Sequence, residues 1–168
     1  MRRIWAMPSH NTFGIKPIKK FIEEHITSGL WIDPFSSNSP FAKQCITNDL
    51  NNELETDYHM EALDFLKKFD NVSVDGVLFD PPYSPRQISE CYKQVGREVH
   101  MKDTQSSFYG DRKKEIARIV KPGGKVLCFG WNSGGIGKSN KFKLIDLLLV
   151  PHGGAHNDTI CTAEIKLN

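Results

Sequence analysis

The 168-residue chain lacks what a membrane-spanning, secreted or metal-scaffolded protein needs. No apolar run is longer than Leu147 to Val150, and Asp146 adjoins it, so nothing approaches the ~20 apolar residues of a membrane helix. The basic opening Met1-Arg2-Arg3-Ile4-Trp5 is interrupted by Ser9, His10 and Asn11 before any stretch of signal-peptide length, and a cytoplasmic location is expected. Cys45, Cys91, Cys128 and Cys161 are scattered with no Cys-x-x-Cys pair. That spacing argues against a zinc ribbon and a thioredoxin-type site, and leaves reduced, partly buried thiols as the expectation. Internal repeats and low-complexity tracts are also absent. Neither sign of charge is in large excess: a net charge of +2 is too small by itself to mark a nucleic-acid binder. What remains is ordinary globular material, with 39% hydrophobic and 25% charged residues, enough for a real core. Residues 1–168 are expected to form one domain, with little chain left over for a separate substrate-recognition module.

Apolar residues at Ile15, Ile18, Phe21, Ile22 and Ile26 predict an amphipathic helix opened by Pro17, with Lys19, Lys20, Glu23 and Glu24 facing water. Short buried strands are expected at Leu30–Ile32, running into Asp33-Pro34, and at Cys45–Thr47, running into Asn48-Asp49. Met60, Leu63, Leu66 and Phe69 form a helical stripe, and Val74–Phe79 reads as a strand stopped by Asp80-Pro81-Pro82. Helices are expected after Pro85 and over Arg112–Val120, then a strand at Val126–Phe129 and two more at Lys143–Val150 and Thr159–Lys166. This alternation predicts an α/β fold with a mainly parallel sheet. The last two strands, joined by a loop too short for a helical crossover, form an antiparallel C-terminal hairpin on one edge. Ligands of such sheets bind outside the carboxyl ends of the strands, where the unusual residues of this chain are concentrated.

The most informative of these is Asp80-Pro81-Pro82-Tyr83. Two prolines fix the backbone and cannot continue the ladder, so the chain leaves a buried strand rigidly, carrying a carboxylate and an aromatic ring. Read alone this is also a strand-terminating turn. In its setting it resembles the Asp-Pro-Pro-Tyr signature of the S-adenosylmethionine-dependent amino-methyltransferases of DNA, a resemblance spanning nearly the whole chain. It implies a Rossmann-like class I methyltransferase fold, S-adenosylmethionine as cofactor, and methylation of the exocyclic N6 of an adenine flipped out of DNA. It also implies that the Asp80 carboxylate and Pro81 carbonyl accept the amine hydrogens while Tyr83 stacks on the base, with Pro82 holding the turn.

The resemblance places further residues at the cofactor. Asp33-Pro34-Phe35-Ser36-Ser37-Asn38-Ser39 stands where the family has Asp-Pro-Phe-x-Gly-x-Gly, with both glycines replaced by serine and a connection to the next strand too short for the usual crossover helix. Asp49 matches the acidic residue that takes the ribose hydroxyls, with Leu50 against the adenine. Met60, Glu61 and Ala62 match the motif holding the adenine, although Glu61 reads equally as a solvent-facing residue of a first helical turn. Asn11, Thr12 and Phe13 resemble the motif that closes over the methionine end. Lys121-Pro122-Gly123-Gly124 reads as scaffold.

Other signals are weaker. Gly137-Lys138-Ser139 invites a phosphate-loop comparison, but Asn132 occupies the position of that pattern's first glycine. The same loop offers Lys138, Lys141 and Lys143 to DNA phosphates, or is simply solvated. His152, His156 and Asp158 lack a third ligand at a familiar spacing, and no metal is expected. In the resembled family this hairpin borders the target base, which makes His156, Asn157 and Asp158 candidate substrate contacts. Val99–Arg112 reads either as a substrate loop or as a connector. The expected partner is DNA and not a membrane, with target recognition supplied by short loops, a second copy of the chain or another protein. Alternatives are an RNA guanine-N2 methyltransferase, a DNA cytosine-N4 methyltransferase, or a cofactor-binding module without activity.

Overall fold

A computed structural model describes residues 1–98 and 107–168, and of Ser107 the backbone only. Seven strands form one sheet: β1 (Arg2–Arg3), β2 (Trp31–Asp33), β3 (Cys45–Thr47), β4 (Val74–Phe79), β5 (Val120–Gly130), β6 (Phe142–Val150) and β7 (Thr159–Lys166). Their order across the sheet is β1-β6-β7-β5-β4-β2-β3. Every pairing is parallel except the two made by β7. The carboxyl ends of β1 to β6 therefore share one edge, which Asp33 and the Asp80 turn occupy.

Among the described residues four α-helices pack on the sheet and its carboxyl edge. Helix α1 (Lys16–His25) buries Ile18, Phe21 and Ile22 against one side, as its periodicity predicts. Helices α2 (Ala62–Lys67) and α4 (Ser107–Ile119) bury Phe65, Leu66, Ile116 and Ile119 against the other. Alternation along β4 feeds both layers: Val77 and Phe79 join the α2/α4 side, Leu78 the α1 side. Helix α3 (Pro85–Gln94) starts directly after the Asp80 turn and packs Ile88 and Tyr92 with Phe108. The Trp31 ring crosses β4 at Gly76, where an added Cβ would lie 2.4 Å from the indole, so only glycine lets this strand pair close.

Two differences from the expected pattern have local causes, and the short β2–β3 connection is as expected. Strand β5 begins at Val120 because Val120 pairs with Val74; Lys121–Gly124 then bulges out before Lys125 pairs with Gly76. The C-terminal hairpin is not the sheet margin, since Arg2–Arg3 pairs in parallel outside β6. Residues 34–44, between β2 and β3, hold a 3-10 turn at Ala42–Gln44 in place of a helix, consistent with their shortness. Asn48 Nδ2 donates to the Pro34 carbonyl (3.1 Å) and tightens that connection.

Candidate functional site

The Asp80 turn is fixed from both ends. Ser84 caps α3 by accepting from Gln87 N–H (3.2 Å), and Gln87 Oε1 accepts from Tyr83 N–H (2.6 Å). The Tyr109 hydroxyl donates to the Pro82 carbonyl. Within the turn the Tyr83 hydroxyl donates to Asp80 Oδ1, so ring and carboxylate face one another. Burial pushes the Asp80 carboxyl up to about 6, against hydrogen bonds from Tyr83 and Thr12 that pull it down. Burial and the facing Asp80 charge push the Tyr83 phenol upward as well.

Two cavities meet at this turn. The larger, of about 530 Å³, is lined by Thr12, Phe35, Ser37, Asp49, Leu50, Glu61, Asp80 and the inward face of α3. The smaller, of about 330 Å³, is lined by Phe79, Cys128, Phe129, Trp131, Asn132, Tyr109 and Lys113. Pro81 and Tyr83 line both. On the smaller side the Tyr83 and Trp131 rings lie 5.5 Å apart at 50°. The larger cavity is thus rimmed by carboxylates, and the smaller is walled by aromatic rings.

Of the residues expected at a cofactor, Thr12, Phe35, Asp49, Leu50 and Glu61 line the larger cavity, and others hold the loops around it. Asp33 is buried; its Oδ1 accepts from Phe35 N–H (3.2 Å), while its Oδ2 and the buried Ser36 hydroxyl have no hydrogen bond of ordinary geometry. Burial raises the Asp33 pKa well above the ordinary carboxylate range, and the charges of Asp80 and Asp49 add to this. Asp49 accepts from Ser37 N–H (2.9 Å) and Asn51 N–H (2.9 Å), tying the β2–β3 loop to the end of β3. Ser37 sits at φ +44°, the left-handed region in which the glycine of the resembled motif costs nothing. Ser39 acts differently: its hydroxyl accepts from Phe41 N–H (3.1 Å) and shapes the turn itself. Asn11 bridges to the same loop through the Asn38 carbonyl (2.8 Å).

Other expected residues are placed elsewhere. Phe13 is buried in the core against Phe129, with ring centroids 4.8 Å apart, and Ala62 is buried on α2. Glu61, by contrast, does line the larger cavity; it is the residue preceding α2 and reaches Arg112 (3.4 Å) and Arg97 (3.5 Å), so it is neither solvent-facing nor a simple first-turn residue. His152 is a satisfied core histidine between the Ala6 carbonyl (2.9 Å) and the Thr159 hydroxyl (2.8 Å). His156 and Asn157 are exposed on the hairpin turn and line neither cavity. Of Val99–Arg112, residues 99–106 lie outside the described residues, and the rest belongs to α4 and not to a loop.

Lys138 and Lys141 are not brought to the Asp80 edge. They precede Phe142, which opens β6 beside Lys166, and the Lys141 carbonyl accepts from Leu167 N–H (2.8 Å). Their loop runs down the sheet face, pinned where the buried Glu164 accepts from Ile136 N–H (2.5 Å) and Gly137 N–H (3.1 Å). They emerge at the amino-terminal edge, about 26 Å of strand away from the end of β6. Proximity in sequence to Trp131 is misleading because the loop between them spans the sheet.

Sequence reasoning passed over Asn48, Gln87 and Trp131. Asn48 is buried, and its side chain bonds the Pro34 carbonyl and both the N–H (3.1 Å) and carbonyl (3.0 Å) of Met60, joining the two expected cofactor loops. Its signal was an amide at a strand end, directly before Asp49. Gln87 and Trp131 carry no motif of their own.

No protein-family model matches the chain, and no curated protein does. Solved structures do. The 1,6-didemethyltoxoflavin-N1-methyltransferase of Burkholderia thailandensis, bound to 1,6-didemethyltoxoflavin and S-adenosylhomocysteine, superposes with TM-score 0.59 at 12% identity over 91% of this chain and 78% of its own. The putative methyltransferase yhhF of Escherichia coli gives 0.59 at 9% identity over 100% and 99%. A putative methylase of Haemophilus influenzae gives 0.56 at 12% over 91% and 96%. The chain has the Rossmann-like fold of these methyltransferases.

Proposed function

We propose that the protein transfers a methyl group from S-adenosylmethionine to the exocyclic N6 of an adenine flipped out of DNA. The observation that carries this reading is the Asp80–Tyr83 turn standing as the shared wall between a carboxylate-rimmed cavity and an aromatic one. The larger cavity fits the cofactor chemically. Its sulfonium and ammonium are cations, and the cavity lining includes Asp49 and Asp80, neither of them in an ion pair among the described residues. The buried Asp33 Oδ2 and Ser36 hydroxyl have at most each other, without ordinary hydrogen-bond geometry, and such burial is costly until a further donor arrives. Asp49 and Leu50 would hold the ribose and adenine, and Thr12 and Asp33 the methionine end. The solved Burkholderia methyltransferase contains S-adenosylhomocysteine, which supports the same assignment.

When bound, S-adenosylmethionine supplies an electrophilic methyl. The protein's own part is positioning. An adenine N6 lone pair is delocalised into its ring; a carboxylate accepting one N–H and the Pro81 carbonyl accepting the other turn that lone pair toward the donor. Asp80 is ionised above pH about 6 and can accept. Tyr83 must release its hydroxyl from Asp80 as the base enters, and Trp131 offers a second ring against the base.

The test is transfer of a labelled methyl group to DNA and to RNA, followed by nucleoside analysis. N6-methyladenine in DNA is the expected product. N4-methylcytosine in DNA or N2-methylguanine in RNA overturns the substrate; no transfer with intact cofactor binding overturns the activity.

A further inference from the structure

The chain's charge is small in total but unevenly distributed. The first 22 residues contain five lysines and arginines and no acid, and Asp146 is the only acid between Gly130 and Asn157. The structure brings these segments together. Strand β1 lies along β6, and α1 packs over β5, β6 and β7. Asp146 is occupied by Arg2 (2.6 Å) and His25 (3.0 Å). Arg3, Lys16, Lys19 and Lys20 are exposed, and none makes an ion pair with a described residue. At the upper corner of this flank Trp5 is 60% exposed, with its indole nitrogen beside Gly153 of the hairpin turn.

This flank is continuous with the Asp80 edge. Following β1, Ala6 N–H bonds the Pro151 carbonyl (3.1 Å), His10 and Thr12 line the larger cavity, and Lys16 opens α1 four residues after Thr12. The cationic stretch covers Arg3 and the opening of α1 and ends at the exposed Glu23 and Glu24, of which Glu24 pairs with Arg2; with an exposed indole beside a catalytic mouth, it matches a phosphodiester backbone with stackable bases better than it matches an apolar protein partner.

We propose that the β1–α1 flank, through Arg3, Lys16, Lys19, Lys20 and Trp5, holds the phosphate backbone of the nucleic acid on one side of the target nucleotide. The proposal rests on the reading that the substrate is a nucleic acid. It replaces Lys138 and Lys141, which face the opposite edge, as the electrostatic contact.

The experiment is a salt titration of binding to a fluorescently labelled DNA duplex and to an RNA hairpin, with S-adenosylhomocysteine present. Parent protein is compared with the triple variant Lys16→Gln, Lys19→Gln, Lys20→Gln, with Trp5→Ala, and with Lys138→Gln, Lys141→Gln as control. All substituted side chains are exposed, so unchanged circular dichroism and S-adenosylhomocysteine affinity are expected throughout. The triple variant should flatten the slope of log affinity against log salt by about 2 to 3, while the control pair leaves it at the parental value. Trp5→Ala should weaken binding with little change of slope, as stacking carries no counterion. An unchanged slope in the triple variant, a flattened slope in the control pair alone, or no binding by the parent overturns the flank. Binding to RNA only, with the slope lost in the triple variant, keeps the flank and overturns the DNA substrate.

Discussion

The two edges of the sheet treat their carboxylates in opposite ways. At the amino edge, Asp75 accepts from Leu30 N–H (2.8 Å) and pairs with Lys121 (3.0 Å), and these contacts hold its pKa below the ordinary value. Nearby, Lys166 donates to the Ala117 (2.6 Å) and Val120 (2.7 Å) carbonyls. At the carboxyl edge, Asp33 keeps one oxygen unpartnered, Asp80 is raised to about 6, and Ser37 holds a left-handed backbone. One edge is satisfied by the chain itself; the other stores desolvated groups and strain that a ligand can relieve. Binding sites are where a fold leaves its own polar groups incompletely answered.

The sharpest break in this contrast is Asp80→Ala. It should reduce methyl transfer by about 10²- to 10³-fold or more while calorimetric binding of S-adenosylhomocysteine persists. A lost affinity with unchanged turnover of bound substrate would place Asp80 on the cofactor instead. Because the ionised carboxylate is the acceptor, activity of the parent should also fall as pH drops through about 6.

Stability should move the other way. A carboxyl whose folded pKa is raised contributes stability that is present below its unfolded value, near 3.8, and is lost as pH rises through about 6. Asp80→Asn, neutral at every pH, should therefore melt above the parent at pH 8, with the advantage vanishing toward pH 4. Asp75 has the opposite sign: its stabilisation is present above 3.8 and lost as pH falls. Melting curves across pH for Asp80→Asn and Asp75→Asn test the contrast directly, and parallel behaviour would erase it.

Smaller effects follow. Asp33→Asn should weaken cofactor binding by about 1 to 3 kcal/mol, read by calorimetry, if Oδ2 meets a donor there. Asp75→Asn should leave that binding intact and cost about 0.5 to 1 kcal/mol of stability in denaturant melts. Ser37→Gly should gain up to about 1 kcal/mol by releasing the left-handed serine, offset in part by glycine's entropy; a loss would show that the hydroxyl matters more than the backbone.

Much of the fold was legible because short strands end at marked residues. Val74–Phe79 stops at two prolines, and Ile18, Phe21 and Ile22 repeat at helical spacing. The Asp80, Asp33 and Asp49 positions followed from strand ends for the same reason. What could not be read was where long loops travel. Lys138 and Lys141 follow Trp131 by a few residues, yet Glu164, distant in sequence, draws the intervening loop across the sheet. Arg2–Arg3 carries no strand pattern and gains its place only from β6. Glu61 could be read as an adenine contact or as a solvent-facing residue, because its partners Arg97 and Arg112 lie far along the chain. Long-range pairings of this kind leave no local periodicity.

If the carboxyl edge is left unsatisfied because S-adenosylmethionine completes it, S-adenosylhomocysteine should stabilise the fold in a thermal melt. At a ligand concentration about 100-fold above Kd, linkage gives about 2.7 kcal/mol, a rise in Tm of several degrees for a chain of this size. That rise is expected in the parent, and a smaller one in Asp33→Asn. No shift in the parent at millimolar ligand would contradict that completion.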